Sequence, residues 1–162
     1  MPALLFVCTA NLFRSPVSAA LFTYLLNDRG VVEGWTVESA GTLATDGLPI
    51  SRLAQEMMTE RAIDVSAHRS RQVTQEILER SDLVLTMEEG QWEGLRWEFR
   101  PLAKRVFMLS QMVGASYDVR DPDQASLSSA RATVREIESL LTRGFGRIQQ
   151  TALSGASKAS RG

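Results

Sequence analysis

The stretch from Ala3 to Pro16 constrains this chain more than any other. An unbroken apolar run, Ala3–Val7, leads into Cys8, the only cysteine, and Arg14, Ser15 and Pro16 follow shortly after. Proline just after serine starts a helix well, because the amide it lacks would have had no partner in the first turn. Val17, Ala20, Leu21, Tyr24 and Leu25 recur at helical spacing, which predicts a helix over Ser15–Asp28 with those residues inward and Gly30 closing it. The segment reads as strand, tight loop and helix N-terminus, with Cys8 where the strand ends.

The same alternation continues. Trp35–Ala40, Asp82–Met87 and Arg105–Leu109 read as further strands, and the run Leu83-Val84-Leu85 is typical of a strand buried on both faces. Helices are predicted over Ser51–Arg61, Thr74–Arg80, Glu88–Phe99 and Leu127–Thr142, the third weakened by Gly90 and Gly94. Strands alternating with helices give βαβ units. The expected fold is α/β, a three-layer sandwich with a central four-stranded parallel sheet and helices on both faces. One domain is expected over residues 1–143. Residues 144–162, rich in Gly, Ser and Ala, read as a flexible tail. Ligands of such sheets bind beyond the carboxyl ends of the strands, which is where Cys8 falls.

Composition bounds the function. A net charge of −1 gives no reason to expect nucleic acid or an anionic membrane as partner. No basic segment precedes a long apolar stretch, so neither a signal peptide nor a membrane span is expected. A lone cysteine forbids an internal disulfide, and an activated thiol is best kept in a reducing cytoplasm.

The chemistry follows from the loop. A loop feeding a helix N-terminus turns backbone N–H groups inward, here those of Thr9, Ala10, Asn11, Leu12 and Phe13, and the helix dipole adds positive charge. That field favours the thiolate of Cys8, and Arg14 adds a fork that grips two oxygens of an oxyanion. A thiolate facing a bound tetrahedral oxyanion is a nucleophile facing its electrophile. Asn11 tolerates left-handed backbone and can brace a tight turn. Ser15 can donate to the thiolate, cap the helix, or do both. Expulsion of an alkoxide or phenoxide then needs a proton from a carboxylic acid on an exposed loop. Asp121, held extended by Pro122, is the best candidate and Asp118 the second, although Asp-Pro is also a common turn starter. His68 is read as structural. No His, Cys and carboxylate cluster has metal-ligand spacing, so neither metal nor other cofactor is expected.

Cys8-Thr9-Ala10-Asn11-Leu12-Phe13-Arg14-Ser15-Pro16 resembles the phosphate-binding loop of the low-molecular-weight protein tyrosine phosphatases, the bacterial ones in particular. Ser39-Ala40-Gly41, His68-Arg69-Ser70-Arg71-Gln72, Asp82–Glu88 and Asp121-Pro122 follow in the family's order, so the likeness covers about residues 3–143. It implies a phosphomonoesterase acting through a phosphocysteine, with Cys8 as nucleophile, Arg14 as clamp and Asp121 as general acid. The implied partner is a phosphotyrosine protein, by analogy with bacterial members a tyrosine kinase of the exopolysaccharide type. Departures bear on the protection of Cys8 by a neighbouring cysteine and on the substrate. Phe13 stands where many members have a second cysteine, Asp123 stands where an aromatic is usual, and Thr42–Leu48 has no aromatic. Leu12 supplies apolar surface at the loop position that faces the substrate in the family, where a phosphoarginine-specific relative would show Thr. Three rival readings stand beside this one. A thiol-coupled arsenate reductase needs more cysteines than one. A phosphocysteine carrier has no use for a hydrolytic acid. A phosphotyrosine-binding protein without turnover fits the missing aromatics.

Overall fold

The computed structural model describes residues 1–161. Its strands β1 (Ala3–Cys8), β2 (Thr36–Gly41), β3 (Leu83–Thr86) and β4 (Val106–Met108) form one parallel sheet in the order β2-β1-β3-β4. Side chains of a strand alternate between faces. Leu4, Phe6 and Cys8 accordingly enter one core cluster, and Leu5 and Val7 enter the other. Leu83 and Leu85 on one side and Val84 on the other repeat the pattern in β3. Both faces are covered, which is why these strands read as continuous apolar runs.

Helices α1 (Arg14–Asp28), α2 (Arg52–Glu60) and α5 (Leu127–Ala159) cover the larger cluster. The shorter α3 (Gln75–Glu79) and α4 (Glu89–Glu98) cover the smaller. This is the three-layer α/β sandwich that the alternation predicts. Ser51, Thr74 and Ser126 each cap a helix by accepting a backbone N–H, at 3.3, 3.3 and 3.1 Å. The chain moves from β1 one way to β2 and the other way to β3 and β4, so the order reverses beside β1. Its carboxyl end, Cys8 paired with Gly41, is the switch point where such sheets bind ligands.

Two expectations fail. Tyr24 is 51% exposed. α1 instead packs through Val17, Leu21, Phe22 and Leu26, turned by the aromatic contacts of Phe22 with Phe6, Trp35 and Phe145. The last helix does not stop near Thr142, and residues 144–159 are no loose tail. α5 runs 33 residues to Ala159, about 50 Å of helix, and buries Phe145, Ile148 and Ala152. Its small residues are contact points. A Cβ on Gly144 would lie 3.0 Å from Met112 Cβ, and one on Gly155 would lie 2.6 Å from the Asp82 carbonyl oxygen. The glycines that composition reads as disorder let the helix lie close against the sheet. Among the described residues no helix is long and apolar enough to cross a membrane.

If residues 144–159 are core, Ile148→Ala should lose about 2–4 kcal/mol in urea unfolding, the usual cost of deleting a buried Ile side chain. Gly155→Val should also destabilise, through its clash at Asp82. An Ile148→Ala midpoint equal to wild type would return this segment to the status of a tail.

Candidate active site

Between β1 and α1 the chain makes a loop of residues 9–13 whose carbonyls are tied outward. Cys8 O accepts Thr42 N–H at 2.9 Å, Thr9 O accepts Leu43 N–H at 2.9 Å, and Leu12 O accepts Ser51 N–H at 2.9 Å. Asn11 O accepts from His68 Nε2 at 2.8 Å, so that nitrogen carries a proton. In a trans peptide the N–H points opposite to the preceding C=O. Each outward carbonyl therefore turns an amide inward, those of Thr9, Ala10, Leu12 and Phe13, and the loop becomes a nest of N–H groups at a helix N-terminus. Gly41 is required behind it, because a Cβ there would sit 2.4 Å from the Thr9 carbonyl oxygen.

Asn11 sets the loop's shape. It is fully buried, has φ of 60°, and spends its side chain on three elements. Nδ2 donates to Ser15 Oγ at 2.8 Å and to Ser39 Oγ at 2.9 Å, and Oδ1 accepts Arg71 N–H at 3.0 Å. Ser15 Oγ lies 3.0 Å from Cys8 Sγ and 3.4 Å from Ala40 O. With Asn11 already donating to it, the Ser15 hydroxyl proton has two places to go. It points to Ala40 O when Cys8 is a thiol donating to Ser15, and to Sγ when Cys8 is a thiolate. Of the two roles open to Ser15 in the sequence, the structure shows the contact with Cys8 and not the cap, since α1 begins at Arg14 after Phe13 and no side chain caps it.

Arg14 is 2% exposed and enters the site from α1. Its Nη1 donates to Val119 O at 2.8 Å and pairs with Glu88. Its Nε is buried and has no hydrogen-bond partner among the described residues. Asp121 Oδ1 stands 3.4 Å from that Nε, and the Asp121 side chain is 60% exposed. A buried cation whose Nε–H has no acceptor, beside a loop of inward amides, is suited to an oxyanion. Asp121 projects because its neighbours are anchored, Val119 in the core with its N–H on Met87 O at 2.8 Å, and Pro122 buried. Asp118, the second candidate acid, is committed elsewhere. Its Oδ1 accepts the Glu89 N–H at 2.8 Å and so caps the first turn of α4.

Two contributors are absent from the sequence reading as site residues. Glu88 orients Arg14. Gln91, buried in α4, accepts from the Met87 and Glu88 amides at 3.0 Å each and donates to Thr9 Oγ1 at 3.0 Å, binding the phosphate-type loop to β3 and α4. Glu88 lay inside a motif that the resemblance covers. Gln91 had no signal short of knowing that β3 lies beside β1.

His68 is structural, as expected, and braces the loop through Asn11. Burial is the largest cause pushing its pKa below the ordinary 6.5, with the charges of Arg69 and Arg71 acting the same way and the bond to Asn11 O opposing them. A depressed folded pKa means the folded state prefers the neutral ring. Stability should therefore be intact above pH 6.5 and decline as pH falls through and below it. His68→Gln, which keeps a donor, should flatten that decline in thermal melts between pH 7.5 and 5.5. An equally steep decline in the variant would assign it to other groups. Asn11→Ala should cost about 2–4 kcal/mol, since it strands several buried partners and strains φ.

With this geometry in hand, comparisons with known proteins are direct. The sequence model of the family described as low molecular weight phosphotyrosine protein phosphatase matches residues 3–153. A probable low molecular weight protein-tyrosine-phosphatase, EpsP of Ralstonia nicotianae, is 32% identical over 135 residues, covering 83% of this chain and 88% of that protein. A protein-arginine-phosphatase of Geobacillus stearothermophilus is 33% identical over 147 residues, covering 90% of this chain and 95% of its own. Among solved structures, a cysteine-to-serine mutant of YwlE arginine phosphatase with a phosphorylated active-site serine superposes with a TM-score of 0.84 at 32% identity, covering 91% of this chain and 95% of its own. The chain belongs to the low-molecular-weight phosphotyrosine protein phosphatase family.

Proposed function

We propose that this protein is a phosphomonoesterase acting on phosphotyrosine in proteins, with the residues of the loop in the following roles. Cys8 Sγ attacks phosphorus in line, the S–P bond forms as the P–O bond to the leaving group breaks, and Asp121 gives its proton to the departing phenolate. Water then attacks the phosphocysteine, Asp121 takes its proton, and the S–P bond breaks to release phosphate and restore the thiolate. The amides of Thr9–Phe13 and the Nε edge of Arg14 hold the equatorial oxygens, whose charge spreads in the transition state. Ser15 supports the thiolate during expulsion from phosphorus. No step needs a metal or other cofactor.

The observation that carries this reading is the buried, unpartnered Arg14 Nε beside a loop of inward amides, with Cys8 at its start and Asp121 at 3.4 Å. The phosphorylated active-site serine of the cysteine-to-serine relative supports a phosphoenzyme intermediate. A carrier or pure binding protein leaves the placement of Asp121 without a purpose, and an arsenate reductase leaves the single cysteine without a thiol to resolve it.

A second reading, phosphoarginine, is favoured by the kinship to protein-arginine-phosphatases at 33% identity over 90% of this chain. Leu12, half-buried in the loop, tilts the choice toward an aryl group, because an apolar wall binds a phenyl ring better than a guanidinium. By analogy with bacterial relatives the natural partner is a phosphorylated tyrosine kinase, in a reducing cytoplasm.

Hydrolysis of para-nitrophenyl phosphate without added metal should fall to background in Cys8→Ser. In Asp121→Ala it should fall about 10²–10⁴-fold. Arg14→Lys should lose most activity by losing the planar fork. Phosphotyrosine peptides should be turned over in preference to phosphoarginine peptides, and Leu12→Thr should narrow the gap. An inert wild type that still binds vanadate would replace catalysis by binding.

A further inference from the structure

Helix α4 carries Gly90 and Gly94, one turn apart and exposed, and a Cβ built on either meets nothing within 4 Å. Glycine is the poorest helix former after proline, so two in a ten-residue helix weaken it. Packing does not demand them, in contrast to Gly41, Gly144 and Gly155, each pressed against backbone or side chain. What the two glycines leave is room. They border a cleft of about 290 Å³ lined also by Thr9, Thr42, Gln72 and Glu98, with buried Val73 and Leu95 at its base.

Three properties of this cleft point to one occupant. It adjoins the candidate phosphate-binding loop, because Thr9 belongs to that loop and Glu88, the partner of Arg14, lies on its wall. Its walls are held open by hydrogen bonds, Gln72 gripping Thr42 O and the Ala44 N–H at 2.8 and 2.9 Å, and Gln91 gripping Thr9. Its charge is negative. Glu88 is occupied by Arg14, whereas the exposed Glu98 at the far end makes no ion pair among the described residues. Gln91, Gly94, Leu95 and Glu98 recur at spacings of three and four, so the cleft follows one face of α4. From Glu88 to Glu98 that face extends about 15 Å, the length of four to five residues of extended chain.

We propose that this cleft receives the peptide chain flanking the phosphorylated residue of the protein substrate, and that Glu98 selects a Lys or Arg about four positions away. The inference rests on the phosphoprotein reading above. Gly90 and Gly94 admit the peptide backbone close to the helix, the walls beside Thr42 and Gln72 confine it, and Glu98 contributes the charge at its far end.

The test separates the cleft from the chemistry by using binding for one and turnover for the other. Fluorescent phosphotyrosine peptides with Lys or Ala four positions before or after the phosphorylated residue are titrated against Cys8→Ser, with affinity read by anisotropy. One of the two Lys peptides should bind about three-fold tighter than its Ala counterpart, the size of one exposed ion pair, and Glu98→Gln should erase that difference. Gly94→Leu fills the cleft with a better helix former, so folding is not at risk. It should weaken every peptide about ten-fold, the equivalent of one lost side-chain contact, while para-nitrophenyl phosphate turnover by the Cys8 protein carrying the same change stays at the wild-type value. Peptide affinity unchanged by Gly94→Leu, a Lys preference that survives Glu98→Gln, or no peptide binding at all would each overturn the proposal. An inert wild type with intact, Glu98-dependent peptide binding would overturn the catalytic reading and uphold the cleft.

Discussion

The hydrogen bonds that converge on Asn11 are the constraint on which the site depends. A fully buried side chain amide must satisfy its donors and acceptor, and here the partners come from α1, from β2 and from the irregular segment before α3. The same residue's carbonyl is claimed by His68, and its backbone sits in the left-handed region, where Asn is better tolerated than other side chains. Remove the amide and three partners lose their geometry together. The loop could relax, the carbonyls could turn inward, and a nest for anions would become a ring of like dipoles. Regions far apart in sequence are thus justified by one small side chain: Ser39 lies on β2 to meet it, and Arg71 presents a main-chain N–H to it.

Arg14 sets the second condition. Burying a guanidinium is costly unless its donors are met and its charge is balanced. Glu88 and Val119 O meet Nη1, and Asp121 stands near Nε without hydrogen-bonding it. The balance is therefore asymmetric, met at Nη1 and open at Nε. In the phosphatase we propose, an entering dianion meets the open side, and the held Nη1 keeps Nε aimed. The junction of β3 and α4, remote from the loop in sequence, becomes part of the site for this reason alone.

How much of this was legible in the chain follows the range of each interaction. Cys8, Arg14 and Ser15 declare themselves within nine residues, because strand end, loop and helix start are consecutive. The parallel sheet was legible for a similar reason, since burial on both faces writes itself into β1 and β3 as unbroken apolar runs. Gln91 was hidden, because its value depends on β3 lying next to β1. Asp118 and Asp121 could not be separated from residue types alone; an amide of α4 accounts for the first. The C-terminal stretch misled in a different way. Glycine and alanine there serve close approach to Met112 and Asp82, and composition cannot distinguish small residues that loosen a chain from small residues that let it pack. Tyr24 shows the limit of periodicity, since the heaviest aromatic contacts, made by Phe22, decided which way the helix turned.

Val119 has a geometric consequence for the neighbouring carboxylate. Its side chain is locked in the core, its N–H is held by Met87 O, and its carbonyl is held by Arg14. Asp121 is two residues beyond this tether, so however the loop flexes, its Cα can travel no further than about 7 Å from Val119. The carboxylate works on a short leash. On the proposed reading it cannot follow a leaving group around the mouth of the site, and any ester oxygen it is to protonate must be delivered to within a side-chain length of that radius by the way the phosphate is seated. In the phosphatase we propose, reach then sorts the esters that enter: those whose scissile oxygen lies on the Val119 side when the phosphate is held are within range of the proton.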